Sequence, residues 1–566
     1  MSVIPAWPAL RAPASSLSSL DCAPPGGVCP LENPYHPRRQ PLTGYQVALR
    51  VLALAVVAAL ALPVLYLVIR AVGAGEAAIA YLLSPRTGQV ILNSLALTAA
   101  VVTSSALIGV PFAWLTTRTD LPFRRFWLVT GLLTLVIPSY IGAMTYIAAF
   151  GPRGLLQQAL APLGIGALPP IYGFFGAWLS VTLFTYPYVV MPVRAALLNT
   201  DPALEESARS MGLGRWTVFW RVTLPQLRPA LATGMILSAL YALSDFGAVA
   251  LMQFDAFTRV IYMQFTSSFD RSLAAVLSLA LVALTVILIA AERRVASSSH
   301  THRNYRIGVG VSRRPRTVRL GRWRWPALVF CGALVGIGVI VPVAVLSMWA
   351  IHGAGSGLPA APLAEPAVNT VFASALAALV VGAIAIPLAI LGARASGRFG
   401  RWLVQMAYLG NGLPGVVIAL ALVFFAANAV PGLYQTLPVL IFGFAVRFLP
   451  LSIGATRSAL TQIDPRLEEA GRSLGLPSWR AAWRITVPLA RAGVLGGMAL
   501  VFLNAAKELP TTLLLSPTGF RTLTTQIWTA QIEARFTQAA PPALLIIVLS
   551  ALSLYFILKD HGHVRR

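Results

Sequence analysis

The apolar positions of this chain fall into twelve long runs, near 47–73, 90–117, 126–150, 170–198, 230–252 and 273–292, then 326–351, 367–392, 402–427, 437–460, 493–515 and 541–558. A run of about 20 apolar residues, wound as a helix, crosses roughly 30 Å of hydrocarbon. Peptide groups find no water there, so runs of this length predict helices rather than loops or open sheet. A long polar stretch separates the sixth run from the seventh. The predicted fold class is an all-α polytopic membrane protein, with about 12 transmembrane helices arranged as two blocks of six.

The polar positions repeat as well. "DPALEESARSMGLGRWTVFWRVTLPQLR" begins at Asp201, and "DPRLEEAGRSLGLPSWRAAWRITVPLAR" begins at Asp464, with 15 of 28 positions identical. Earlier in the halves Asn93 pairs with Asn369, Pro111 with Pro387, Arg118 with Arg394 and Pro138 with Pro414, all at an offset of 276. From Pro187 and Pro450 onward, through Arg194 and Arg457, the offset drops to 263. The first half therefore carries 276 − 263 = 13 extra residues, expected in the segment "GPRGLLQQALAPLGIGALPP" because an insertion inside a span would upset its length. An even number of spans per half gives both copies the same orientation, hence a pseudo-twofold axis along the membrane normal with a pathway between the halves.

Within the repeated stretch, Asp201 and Pro202 form a helix start, an N-cap acceptor followed by a residue of preset φ. Leu204, Ala208 and Met211 predict one apolar face. Glu205 and Glu206 lie in the first turns, where the helix dipole favours negative charge, and Gly212 supplies a left-handed stop. A second short helix, from near Gly214 or Pro477, is expected to present Trp216, Phe219 and Trp220 and to be closed by Pro225 or Pro488. The product is a short helix-turn-helix, too charged to enter a bilayer.

Composition narrows the class. Hydrophobic residues make up 57% of 566 and charged ones 11%, which excludes an ordinary soluble surface. The net charge of +25 could suggest nucleic acid, but residues 293–325 alone hold ten arginines and no acid. That placement marks a cytoplasmic loop. Arg38, Arg39, Arg118, Arg124, Arg125, Arg394, Arg398, Arg401, Arg565 and Arg566 fall on the same side, and are read as topology and lipid-headgroup charges. Both termini are then cytoplasmic. The chain divides into a disordered cytoplasmic tail (1–45), a first half (46–292, repeated loop 201–228), a basic linker (293–325), a second half (326–559, repeated loop 464–491) and a tail (560–566). No cleavable signal peptide is evident, and three cysteines suggest neither a disulfide framework nor a metal site.

Acids at glycine and proline spacings of this kind, written once per half, resemble the cytoplasmic coupling loop of permease subunits in binding-protein-dependent ABC importers. Glu206-Ser207-Ala208 and Glu469-Ala470-Gly471 replace the usual Glu-Ala-Ala by small residues. The resemblance implies that Glu205, Glu206 and Gly212, with Glu468, Glu469 and Gly475, couple the chain to two copies of an ATP-binding cassette ATPase, and that a periplasmic binding protein delivers substrate. The chain's two lysines, Lys507 and Lys559, do not follow a glycine, so no phosphate-cradling G-x-x-x-x-G-K-[ST] loop is present. ATP would be used by the separate ATPase, with no catalytic residue and no cofactor held by this chain.

Charge inside a span is costly and marks function by default. Asp245 and Glu508 occupy equivalent positions, each in a fifth span. They line a substrate path, or they satisfy backbone donors beside Gly247 and Pro510, or they pair with Lys507 or Arg447 as a gate. "SDFGAVALMQFDAFTRVIY" and "KELPTTLLLSPTGFRTLTTQIW" resemble the fused two-half permeases of ferric iron importers. Fe(III) prefers oxygen ligands, which Asp245, Glu508, Tyr186, Tyr188 and Tyr241 offer. Thiamine or another small solute of the same family is the alternative cargo. A gradient-driven secondary transporter is the alternative class, though it would have no use for duplicated coupling loops.

Overall fold

The computed structural model describes residues 44–73, 75–152, 154–164, 168–200, 202–267, 272–298, 317–355, 362–394 and 398–563. The tail before residue 44, Asp201, residues 299–316 of the basic linker, Arg565 and Arg566 lie outside the described residues. Among the described residues the ordered structure is helical, and Thr119 and Val318 form an isolated bridge.

Among the described residues nine helices are long and apolar enough to cross a membrane, two bent pairs raise the number to eleven, and the shorter Gly415–Ala429 follows the helix Arg398–Ala407 in the place of a twelfth. The runs expected as continuous third and fifth spans are broken. In the first half Arg124–Leu132 and Ser139–Phe150 are parted by a sharp bend before Pro138, and Leu224–Ser244 stops at Asp245 before the short helix Gly247–Leu251. In the second half Arg398–Ala407 gives way before Pro414 to Gly415–Ala429, and Arg491–Ala506 stops at Lys507 before Pro510–Leu515. A proline removes a donor and crowds the preceding turn, so the helix restarts at Pro138 and Pro414 rather than running through. The extra residues of the first half fall in the connection between third and fourth spans, 151–173 against 430–436, which also holds the helix Leu155–Leu160.

Each half's outermost helices pack on the other half. Ala53 and Leu60 of the first span join the core of Val381, Ile418 and Leu449. Ala327, Cys331 and Leu346 of the seventh span join Phe112, Ile137 and Tyr186. The last span of each half crosses in the same way, with Ala274, Leu277 and Leu281 against Val416 and Leu420, and Ala539, Ala543 and Ile546 against the first-half core. Val51, Leu54, Leu65 and Val72 stay exposed along the first span, an apolar stripe of the kind that faces lipid.

Hydrogen bonds confirm the repeat at atomic detail. Asn93 Nδ2 donates to the Asp255 carbonyl at 3.2 Å, and Asn369 Nδ2 to the Arg521 carbonyl at 2.9 Å. One residue on, Ser94 Oγ accepts from Phe257 N–H at 3.0 Å, and Thr370 Oγ1 from Leu523 N–H at 2.9 Å. These contacts fix the start of each second span to the turn that follows the broken fifth.

Candidate functional site

Two features of the fold are functional candidates: the repeated loops at one face and the helix breaks in the interior. In each loop the first helix is nine residues long, Pro202–Ser210 and Pro465–Ser473. Asp464 caps the second copy by accepting from Arg466 N–H at 3.0 Å. Both helices end in the same way. Gly212 N–H donates to the Arg209 carbonyl and Leu213 N–H to that of Ala208, and Gly475 and Leu476 repeat this with Arg472 and Gly471. This is a Schellman closure, which needs a left-handed residue. Gly212 at φ +82° and Gly475 at φ +88° provide it.

The expected apolar face of the first helix splits. Ala208 is buried, while Leu204 and Met211 are exposed, as are Leu467 and Leu474 in the second copy. The reason is helix length: two turns seat only the middle residue against the protein. Gly471, the partner of Ala208, lies so close to Ile485 that a Cβ would stand 2.5 Å from its Cδ1. The second helix also differs from expectation. In the first half Arg215–Val218 runs through a π turn at Phe219–Thr223 into the fifth span, and Pro225 sits inside the continuous helix. The wider turn makes room for the ring. In the second half the same π turn, Ala482–Thr486, is followed by a 70° bend at Ala490, two residues beyond Pro488. Trp220, Trp479 and Trp483 are exposed, Phe219 is partly buried, and the side chain of Trp216 lies outside the described ones.

The loop acids have two different settings. Glu205 Oε1 is 3.2 Å from Arg118 Nη2 and accepts from Thr223 Oγ1 at 3.1 Å. Glu468 Oε2 is 3.8 Å from Arg394 Nε and accepts from Thr486 Oγ1 at 3.2 Å. Arg118 is only 4% exposed, which corrects its reading as a headgroup charge: Arg118 and Arg394 each tie the end of a second span to the loop helix. Glu206 and Glu469 instead face outward, and Glu469 lines a surface groove with Arg472, Ser473, Leu476, Pro477 and Ser478. Tyr45, two residues before the first span begins at Val47, lies within electrostatic reach of Glu468; burial first, and that carboxylate second, raise its hydroxyl above the ordinary tyrosine range.

In the interior, Asp245 and Glu508 sit at the broken fifth spans, both 7% exposed. Asp245 Oδ1 accepts from Ala248 N–H at 3.0 Å and Oδ2 from the hydroxyl of Ser139, the first residue of the helix after the third-span break. Glu508 Oε1 accepts from Thr511 Oγ1 at 2.9 Å, and Glu508 Oε2 is 3.3 Å from Arg447 Nε. A Cβ at Gly415, which opens the helix after the break in the other third span, would collide with Arg447 Nη1 and Glu508 Oε1. Asp245 therefore joins the breaks of its own third and fifth spans, whereas Glu508 ties its fifth-span break to the fourth span through Arg447, beside Gly415 of the third.

The tyrosines separate. Tyr186 is fully buried, stacked edge-on against Phe112 and donating to the Gly131 carbonyl at 2.6 Å, so its hydroxyl is committed to the first-half core. Tyr188 and Tyr241 are partly buried with ring centroids 5.6 Å apart. Residue-level reading did not single out Tyr140 or Ser139. The Tyr140 hydroxyl is enclosed without a hydrogen-bond partner, within electrostatic reach of the Glu508 carboxylate. Lys507 Nζ crosses between the halves to the Leu135 carbonyl at 2.9 Å, an acceptor released where the first third span breaks. Among the described residues no group of three or more His, Cys, Asp or Glu is placed to hold a metal ion.

Comparison with known proteins agrees with the duplication. Residues 106–298 and 385–559 each match the family described as binding-protein-dependent transport system inner membrane component. An Fe(3+)-transport system permease protein of Haemophilus influenzae is 30% identical over 505 residues, 88% of this chain and 96% of the relative. A ferric transport system permease protein of Actinobacillus pleuropneumoniae is 24% identical over 487 residues, 83% of this chain and 70% of the relative. A molybdenum transport system permease protein of Escherichia coli is 32% identical over 161 residues, 28% of this chain and 69% of the relative. With both halves matched and most of the chain aligned to a ferric relative, the chain belongs to the family of binding-protein-dependent transport system inner membrane components, as a multi-pass ABC importer permease resembling the fused ferric iron permeases.

Proposed function

We propose that this permease carries ferric iron, delivered by a periplasmic binding protein, to the cytoplasm as two copies of a separate ATPase close and part beneath it. The observation that carries the coupling is the duplicated loop: two helices of equal length, each anchored by an Arg–Glu pair and ended by a left-handed glycine, both presenting exposed leucines and tryptophans. Two like surfaces suit two like motor subunits. In this reading Glu206 and Glu469 with the exposed apolar side chains meet the ATPase, Glu205 and Glu468 transmit its motion to the second and fifth spans, and ATP is consumed there rather than by this chain. Both termini and the basic linker lie on the cytoplasmic side, where the arginines concentrate.

The cargo assignment draws on the ferric relatives that span most of the chain, and on the oxygen atoms gathered at the breaks. Asp245, Glu508, Tyr188, Tyr241 and Tyr140 give a hard cation transient oxygen contacts. A route wants contacts weak enough to release the ion again. Uptake of radiolabelled iron and of radiolabelled thiamine into vesicles holding the permease, its ATPase and its binding protein tests the assignment. ATP-dependent iron accumulation with none of thiamine is expected, and the converse would remove iron as the cargo.

A further inference from the structure

The two interior acids are repeated between the halves, but the two interior cations are not. The position equivalent to Arg447 is Phe184, and that equivalent to Lys507 is Ser244, so both cations come from the second half. Arg447 lies at the middle of Leu437–Leu460, far from either end of its span. Besides the contact with Glu508 its guanidinium rests 5.7 Å from the Phe448 ring centroid, and Nη1 is enclosed with no hydrogen-bond partner. It stands within electrostatic reach of Asp245, Tyr188 and Tyr241, all in the first half. Lys507 bonds the first half directly at Leu135. Two acids and two bases, when all are ionised, leave the cluster with no net charge.

We infer that Arg447 and Lys507 are tethered counter-ions that hold the empty passage neutral and closed, and that an arriving metal cation takes their place at Glu508 and Asp245. The inference rests on the breaks lying on the transport route, as proposed above. Three features fit a displaceable cation. One ion pair and one ring hold Arg447, Gly415 leaves it space, and its Nη1 makes no hydrogen bond that displacement would have to break. Lys507 supplies the second lock, because the halves cannot separate at the third-span break without parting Lys507 from Leu135. Without these cations the carboxylates would draw in whatever small cations the solution offers.

The test uses the full chain with its ATPase subunits in sealed vesicles, without nucleotide, reading efflux of radiolabelled rubidium. Arg447→Gln and Lys507→Gln should each leak about tenfold faster than the unaltered protein, since clefts lined by one sign of charge concentrate counter-ions by at least that factor. Arg447→Lys should remain tight, and Arg447→Gln combined with Glu508→Gln should return toward the unaltered rate, which general loosening of the fold would not produce. Unaltered tightness of Arg447→Gln, or of Lys507→Gln should the arginine variant not insert, would overturn the inference. Rubidium efflux requires neither iron nor ATP. A leaking variant in a protein that fails to import iron would thus spare the inference and remove the cargo assignment, and a tight variant in a protein that imports iron would do the reverse.

Discussion

Replacing Gly212 and Gly475 together by valine is expected to abolish ATP-driven uptake while the chain still inserts in the membrane. At both positions a Cβ would meet nothing within 4 Å, so crowding is no obstacle. The obstacle is the backbone. A left-handed conformation costs an L-residue roughly 1–2 kcal/mol, and a β-branched one more. Valine would therefore unwind the Schellman closure and swing the loop helix away from its neighbour, leaving the spans themselves untouched. Asparagine, which tolerates the left-handed region, should retain most of the uptake. Surface labelling reports insertion and vesicle assays report transport; normal uptake by the double valine variant would show that the turn does not transmit force.

The second large effect is expected at Asp245. Its two oxygens satisfy Ala248 N–H and the Ser139 hydroxyl in a site closed to solvent. Asp245→Ala strands both donors, at about 1–3 kcal/mol each, and frees the third-span break from the fifth. The variant should unfold at a lower temperature in detergent and lose transport. Asp245→Asn, which keeps an acceptor oxygen, should fall between the two. Equal thermal stability of the alanine variant and the unaltered protein would mean that the joint does not hold the breaks together.

The repeat was the most legible part of the sequence, because paired prolines, glycines and charges at fixed offsets need no structure to be seen. Span number followed from the apolar runs, and the left-handed stop from the glycine that ends each loop helix. The breaks in the third and fifth spans were not read, since apolar length reports how much chain fits in hydrocarbon but not whether it is one helix. The signal was nonetheless present: Asp-Phe-Gly and Glu-Leu-Pro are helix punctuation after a charged residue. Arg118 and Glu205 are 87 residues apart, and no local pattern links such a pair. The hint lay in the repeat, which preserves both partners at their own offsets. The exchange of outer helices was invisible for a different reason, as side chains facing lipid and side chains facing protein are drawn from the same apolar set. Tyr186 shows the limit of reading by chemical type. Its counterpart in the second half is the buried Leu449, and that asymmetry points to core packing.

In the proposed function the duplicated loops convert work done by external motor subunits into motion of the spans. The direct measurement is iron flux into vesicles that contain the purified chain and its binding protein, with or without the ATPase subunits. Accumulation only when the ATPase and ATP are both present, and none under an imposed proton or sodium gradient, is the expected result. Accumulation driven by a gradient alone, with no ATPase in the membrane, would contradict it.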